Sequence, residues 1–374
     1  MTENNDLFRN PNDLDKKPII NKDIDYDQYN NDFYQQQRNR KIDTLLILTY
    51  VLISLIAGFI GGLIKTHEYG YLSEAIDNVE VTTPITFTVT DNINEDTTGI
   101  DEVYPFAITI NGEITNNSEY FIPLLEIPIE FFDEAGKSIG IFQVIHKDFE
   151  AGETYTIEES TVASINPDRI ETELRIDAPS RFYSIINLVQ SLILFGLFIF
   201  IARMSLLIDW KNFKSNKAYN MGLILKGFLF IYIAAFLSQT LLNLLGVTST
   251  SQNEMMIQSL FEKNLFDISV LFILLVVLTP VIEELIFRKV IYNFVESKTN
   301  HILAILSSGL IFGLMHVIQY GDFLQSIPYV MMGLVFGYIY HNSRKNIFVV
   351  IGVHTINNFI SWLLSVLAVY GLII

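Results

Sequence analysis

The sequence predicts a mainly α, polytopic helical membrane bundle of about seven spans with an inserted extracellular β-sandwich domain. Three observations predict it. Apolar runs of about 18 to 25 residues recur, the length that crosses about 30 Å of hydrocarbon. One long stretch between the first two runs instead alternates apolar and polar residues, the period of half-buried strands. The charge is also uneven: the net −17 over 374 residues is concentrated in that same alternating stretch, whose acidic clusters suit a solvated surface.

In chain order, residues 1–43 are rich in Asn, Asp, Gln and Tyr. They hold too few aliphatics to bury a core and are expected to form a disordered tail. Residues 44–64 are the first span. No small-residue cleavage site follows them, so the run reads as an anchor and not a signal peptide. Residues 65–181 are the β-rich domain, with strand signals such as Ile85-Thr86-Phe87-Thr88-Val89-Thr90 and Ala107-Ile108-Thr109-Ile110. Asn111-Gly112 and Asp133-Glu134-Ala135-Gly136-Lys137 are hairpin turn signals. Asn116-Asn117-Ser118 fits a glycosylation sequon. Residues 183–265 hold the second and third spans with their loops, and 266–374 hold four more, near 266–296, 301–319, 325–341 and 347–372.

Positive residues flanking spans stay inside the cell. Arg38, Arg40 and Lys41 precede the first span, which puts the N-terminal tail in the cytoplasm. Arg203, Lys211, Lys214, Lys217, then Arg288, Lys289, Lys298, then Arg344 and Lys345 fall on the same side of this arrangement. Residues 65–181 are then extracellular in a multi-pass cell-membrane protein. The chain has no cysteine, which excludes disulfides, thiolate catalysis and Cys-ligated metals. No basic cluster meets aromatics on a soluble face, so nucleic acid is not an expected partner. The glycine pairs Gly58 and Gly62, Gly309 and Gly313, and Gly333 and Gly337 are small-xxx-small patterns that let helices approach closely.

Three apolar runs carry polar residues that packing alone explains poorly. Glu283 and Glu284 follow a long apolar stretch, and ionisable groups at membrane depth usually mark a pathway or a reaction site. Glu284 and Arg288 are four apart in the favourable acid-before-base order, so they are expected to pair. Glu283 then points about 100° away and has no partner in its own helix. An unpaired carboxylate in such a site can serve as general acid or base. His316 lies in the next run. His354 and Asn358, four apart, share a face of the last one. That pair could hold a metal ion, a water or an oxyanion. Each residue has a plain alternative as a helix-packing hydrogen-bond partner, but three helices carrying such residues together point to a site. Pro280, one turn before Glu283, is expected to kink its helix.

These residues resemble the CAAX protease and bacteriocin-processing family, which includes the type II CAAX prenyl endopeptidases. That family is marked by Glu-Glu-x-x-x-Arg, Phe-x-x-x-His and His-x-x-x-Asn on separate membrane helices. Here they are Glu283-Glu284 with Arg288, Phe312 with His316, and His354 with Asn358. The resemblance covers about residues 266–372 and leaves out the β-rich insertion and the tail. It implies an intramembrane endopeptidase with a water nucleophile, in which Glu283 activates the water and Glu284 and Arg288 support it. In a metalloprotease version His316 and His354 ligate zinc. In a metal-free version His316 assists Glu283, and His354 and Asn358 stabilise the oxyanion. The expected partners are the lipid bilayer, a membrane-associated or lipidated peptide or membrane-protein substrate, and an extracellular partner for residues 65–181. The competing class is a non-enzymatic membrane scaffold or immunity-type protein that binds through its acidic outer domain. A transporter is a third reading, against which stand a single polar cluster and no inverted repeat.

Overall fold

The computed structural model describes residues 40–91, 106–163, 165–245, 247, 250–261 and 263–372. Residues 1–39 of the expected tail, and the acidic pairs Glu95-Asp96 and Asp101-Glu102, lie outside the described residues. The helices are α1 (Arg40–Tyr69), α2 (Ser180–Ser215), α3 (Lys217–Leu244), α4 (Gln252–Ser259), α5 (Leu265–Glu296), α6 (His301–Val317), α7 (Ser326–Asn342) and α8 (Ile347–Val369). Every apolar run read from the sequence folds as helix. Six of these helices are long and apolar enough to cross a membrane. The exception among the seven runs is α6, whose 17 residues cover about 25 Å at the α-helical rise; α7 reaches 20 residues with the turn that leads into it, Phe323–Gln325.

Side chains set several helix starts. Ser251, Asn264, Asn300 and Asn346 each accept a backbone N–H of the first turn, at 3.1, 2.8, 3.0 and 3.1 Å, which satisfies donors the helix cannot. The bundle is built around α5. Half of its apolar window is buried inside the protein, against 6% for α1, which turns most of its leucines and isoleucines outward. For a span in hydrocarbon that is the favourable arrangement, since lipid solvates apolar side chains as well as protein does.

Glycine decides how closely α6 and α7 pack. A Cβ on Gly313 would lie 2.5 Å from the Val330 nitrogen, and one on Gly333 would lie 2.9 Å from the Gly309 Cα. Both sets of atoms are backbone and cannot yield. Gly58 and Gly62 differ from the sequence expectation: nothing lies within 4 Å of a Cβ at either, because α1 is a peripheral helix.

The β domain comprises β1 (Val79–Asp91), β2 (Phe106–Asn116), β3 (Ile122–Phe132), β4 (Ser138–Phe149), β5 (Thr154–Ala163), β6 (Arg169–Thr172) and β7 (Arg175–Asp177). One antiparallel sheet runs β1-β2-β5; the second runs β4-β3-β6, with β7 also on β3. Ile108, Ile110 and Ile114 of β2 meet Leu125, Ile127 and Ile129 of β3 in one core, so the expected sandwich forms. The Asp133–Lys137 turn is present, closed by the Lys137 N–H on Asp133 Oδ1 at 2.8 Å, with Gly136 at φ +75°.

Asn111-Gly112 is not a turn. It lies inside β2, opposite a register shift in β1 between Thr83 and Thr86. Pro84 cannot donate to the ladder there and sits on an edge strand. The displaced Ile85 crowds this position, where a Cβ on Gly112 would lie 3.1 Å from the Ile85 Cα. The sequon is also closed. Asn116 is fully buried and its amide nitrogen donates to the carbonyls of Tyr120, Phe149 and Glu150.

Polar contacts fasten the β domain to the bundle. Lys65 of α1 and the Tyr183 hydroxyl of α2 both reach Asp177 Oδ1 at 2.6 Å. Next to this junction, within the bundle, Arg181 of α2 holds Asp267 of α5 with two bonds, at 2.9 and 2.6 Å. Lys147 of β4 donates to the Ser259 carbonyl at the end of α4, 3.3 Å away. Glu126 on β3 feels the same junction. Desolvation, then Asp177, push its carboxyl up, and Arg175 and Lys65 oppose them.

Candidate active site

The central helix α5 is not a regular α-helix. It is π-wound over Phe272–Leu278 and again over Leu285–Tyr292, leaving a six-residue α turn, Thr279–Glu284, that carries both glutamates. Such widened turns concentrate at functional sites. The expected local distortion at Pro280 is therefore a change of winding. Its consequence is specific. In π winding the N–H of residue i+5 donates to carbonyl i, as Thr279 does to Leu274. The next donor would be Pro280, which has no N–H, and the Leu275 carbonyl loses its partner. Asn358 of α8 supplies one, its amide nitrogen donating to Leu275 O at 2.9 Å. A buried carbonyl left without a donor is costly, so Asn358 completes the helix that carries the glutamates.

Glu284 and Arg288 pair as their spacing requires, Nε to Oε2 at 3.1 Å, with both side chains fully buried. The guanidinium also donates Nη2–H to the Gly333 carbonyl at 2.9 Å, a group made reachable by the close α6–α7 packing. It lies 5.0 Å from the Phe312 ring and 5.1 Å from that of Phe336. These are cation–π distances, and they give the Phe of Phe-x-x-x-His a job: it walls in the buried cation. Arg288 and Lys289 are thus not hairpin-flanking charges. Lys289 reaches the buried Asp209 of α2 at 2.5 Å, an ion pair between apolar helices that the sequence reading missed.

Glu284 has a second partner that its own helix could not reveal. Its Oε1 lies 2.8 Å from His354 Nδ1. A carboxylate only accepts, so Nδ1 carries the proton and Nε2 is left exposed to chemistry. That Nε2 stands 3.8 Å from Glu283 Oε2, oriented but beyond hydrogen-bond length. Glu283 Oε2 is buried and has no hydrogen-bond partner among the described residues. On α6, His316 Nδ1 lies 2.8 Å from the Phe312 carbonyl. By the same logic Nδ1 donates and Nε2 is left free.

Glu283 and His316 line one cavity of 280 Å³. Its walls are otherwise largely apolar, with Ile282 and Ile286 among them, and two polar groups come from outside the three motifs: Tyr50 of α1 and Asn253 of α4. Tyr50 is a lone polar ring in an apolar span, a signal present in the sequence but not used. A larger cavity of 510 Å³ lies in the β domain against α4, but its polar lining of Gln143, Thr161, Thr250, Gln258 and Ser259 offers no acid–base pair.

His316 and His354, the residues expected to ligate zinc in a metalloprotease version, each keep an Nε2 atom that could meet a metal ion. Glu284 is committed to Arg288 and His354, and the Asn358 amide to Leu275. No three His, Asp or Glu side chains are grouped to hold a metal ion among the described residues. What the arrangement offers is a carboxylate and an imidazole on one cavity, with the Nε2 of a second imidazole, His354, 3.8 Å from that carboxylate and backed by a buried Arg–Glu–His chain.

The comparisons with known proteins fall on this part of the chain. Residues 265–360 match the family described as Type II CAAX prenyl endopeptidase Rce1-like, so the resemblance carried by the three motifs holds for that segment. A Bacillus subtilis (strain 168) protein provisionally named membrane peptidase YdiL is 37% identical over 79 residues, 21% of this chain and 30% of that protein. An uncharacterized protein of Mycoplasma capricolum subsp. capricolum is 30% identical over 169 residues, 43% of this chain and 48% of that protein. The matches thus span less than half the length of either relative. No solved structure matches the chain. The likeness is to membrane proteases at the level of a family.

Proposed function

We propose that the protein is an intramembrane endopeptidase in which Glu283 activates a water to cut membrane-associated or lipidated peptides. The observation that carries this reading is the division of labour between adjacent carboxylates. Glu284 forms an ion pair with Arg288 at 3.1 Å and is hydrogen-bonded to His354, whereas Glu283 Oε2 stands 3.8 Å from His354 Nε2 and its side chain lines a cavity shared with His316. Glu283 takes a proton from water as the oxygen attacks the scissile carbonyl carbon. The proton passes to the amide nitrogen, directly or through His316 Nε2, and the C–N bond breaks to give an acid and an amine. His354, its ring fixed by Glu284, faces the reacting region through Nε2, and as an imidazolium held by Glu284 it would donate from that nitrogen to the oxyanion. Asn358 serves by holding the π-wound wall of α5, and its engaged amide argues for that over direct contact with the oxyanion. No step is routed through a metal.

The apolar cavity walls favour substrates that are themselves membrane-associated, and the β domain would meet them or another partner outside the cell. The test compares new peptide N-termini in membranes of cells carrying the intact protein or Glu283→Gln. Termini present only with the intact protein, and persisting after a chelator, are expected. Removal of a general base costs about 10²- to 10⁴-fold in rate. Identical profiles from two well-expressed proteins would move the assignment to a binding or scaffolding role of the acidic domain.

A further inference from the structure

His316 is fixed from two sides. Its Nδ1 is bonded to the Phe312 carbonyl of its own helix, and its ring lies flat against Tyr329 of α7, with centroids 4.6 Å apart and planes 14° from parallel. Tyr329 is itself gripped by its hydroxyl, which lies 2.8 Å from Ser251 Oγ and accepts from Asn253 Nδ2 at 3.2 Å. Ser251 caps α4 and Asn253 is in its first turn. The Gln252 N–H beside them donates to Asp322 Oδ2, in the loop before α7, at 3.0 Å. The far end of α4 is held by the β domain and the head of α2. The Ser259 carbonyl accepts from Lys147 Nζ at 3.3 Å and from Ser180 Oγ at 3.4 Å. A helix of eight residues thus touches the outer domain at one end and the ring stacked on His316 at the other.

We infer that Tyr329 is a positioning residue for His316, and that α4 sets its position from outside the Rce1-like segment. A histidine ring that makes a half-turn about its last side-chain bond puts Cδ2 where Nδ1 was and Cε1 where Nε2 was, so Nδ1 loses the Phe312 carbonyl and Nε2 leaves the cavity. The flat stack permits sliding but resists that turn, and the Phe312 carbonyl then selects the Nδ1–H form, keeping the Nε2 lone pair toward Glu283's cavity. Losing the stack frees the ring. Losing the hydroxyl frees the stack from α4. Ser251 and Asn253 precede residue 265, so the α4 part of this device lies outside the segment that matches the family, whereas Tyr329 and His316 lie within it.

The test reads the His316 tautomer in the full-length protein in detergent by ¹⁵N NMR of labelled histidine, assigned with His316→Gln. A single Nδ1–H form is expected for the intact protein, and a mixed, exchanging signal for Tyr329→Ala. Tyr329→Phe keeps ring and volume but loses the hydroxyl bonds. It should show partial exchange, which the double variant Ser251→Ala, Asn253→Ala should reproduce. An unchanged His316 signal in Tyr329→Ala would overturn the proposal. A wild-type signal in both Tyr329→Phe and the double variant would overturn the part assigned to α4. Only a second, kinetic arm rests on the peptidase reading: Tyr329→Ala should lower kcat at least tenfold with KM little changed. An NMR result as expected with no cleavage by the intact protein would therefore fault the peptidase reading and leave the positioning of His316 standing.

Discussion

Glu284 is where the residue-scale argument is sharpest, because one carboxylate holds two partners on two helices. Its spacing to Arg288 is written in the sequence. Its bond to His354 is not, since it joins positions 70 residues apart and depends on how α5 and α8 cross. The same limit applies to Asn358. The sequence placed it on one face with His354, but that its amide serves Leu275 follows only once the π winding makes Pro280 the missing donor. Glu284→Ala strands a fully buried guanidinium with one carbonyl and aromatic rings for company. Breaking a buried pair by removing one partner typically costs about 3–5 kcal/mol. Thermal unfolding in detergent should show Glu284→Ala strongly destabilised. The double variant Glu284→Ala, Arg288→Met, which leaves no unpaired charge, should be markedly less so. A double variant as unstable as the sum of both single changes would contradict the pair.

Among the elements, the apolar runs were enough to read the helices, since hydropathy and length are local properties. Winding was not legible. Phe272–Leu278 is apolar on every face, so no hydrophobic period distinguishes α from π there. Glycine was legible only by element type. In the α6–α7 pair the small-xxx-small reading corresponds to real backbone proximity, whereas the same spacing in α1 faces open space. In β2, Asn-Gly predicts a turn because turn chemistry is the commoner use of that dipeptide, and the bulge at Pro84 that crowds Gly112 belongs to another strand. Helix contact through glycine predicts a difference between variants of equal chemistry. Gly313→Ala puts a methyl 2.5 Å from the Val330 nitrogen and must push α7 away. Overpacking of this kind costs about 1–3 kcal/mol, and here it also loosens Gly333 from Arg288 and Tyr329 from His316. Lower melting temperature and lower activity are expected together. Gly58→Ala should change neither, and equal effects from both would refute the packing argument.

For the molecule as a whole, the charge distribution predicts which side of the membrane holds the β domain. With Arg288 and Lys289 withdrawn into the bundle, the positive-inside argument rests on fewer residues. Lys211, Lys214 and Lys217 cluster where α2 turns into α3, Lys298 lies between α5 and α6, and Lys345 pairs with Glu296 beside the turn into α8. All these turns lie at the end of the bundle away from the β domain, which joins the opposite ends of α1 and α2 through Lys65, Asp177 and Tyr183. Basic residues flanking spans are retained in the cytoplasm, so the β domain should lie outside the cell. A chain without cysteine makes this directly measurable, since one introduced thiol is the only one present. Ala135→Cys, in the exposed β3–β4 turn, should react with a membrane-impermeant maleimide on intact cells. Ser215→Cys, exposed at the α2–α3 turn, should react only after permeabilisation. The reverse pattern would turn the molecule over. It would place the acidic domain in the cytoplasm and remove any outside partner, while leaving the geometry around Glu283 as it is.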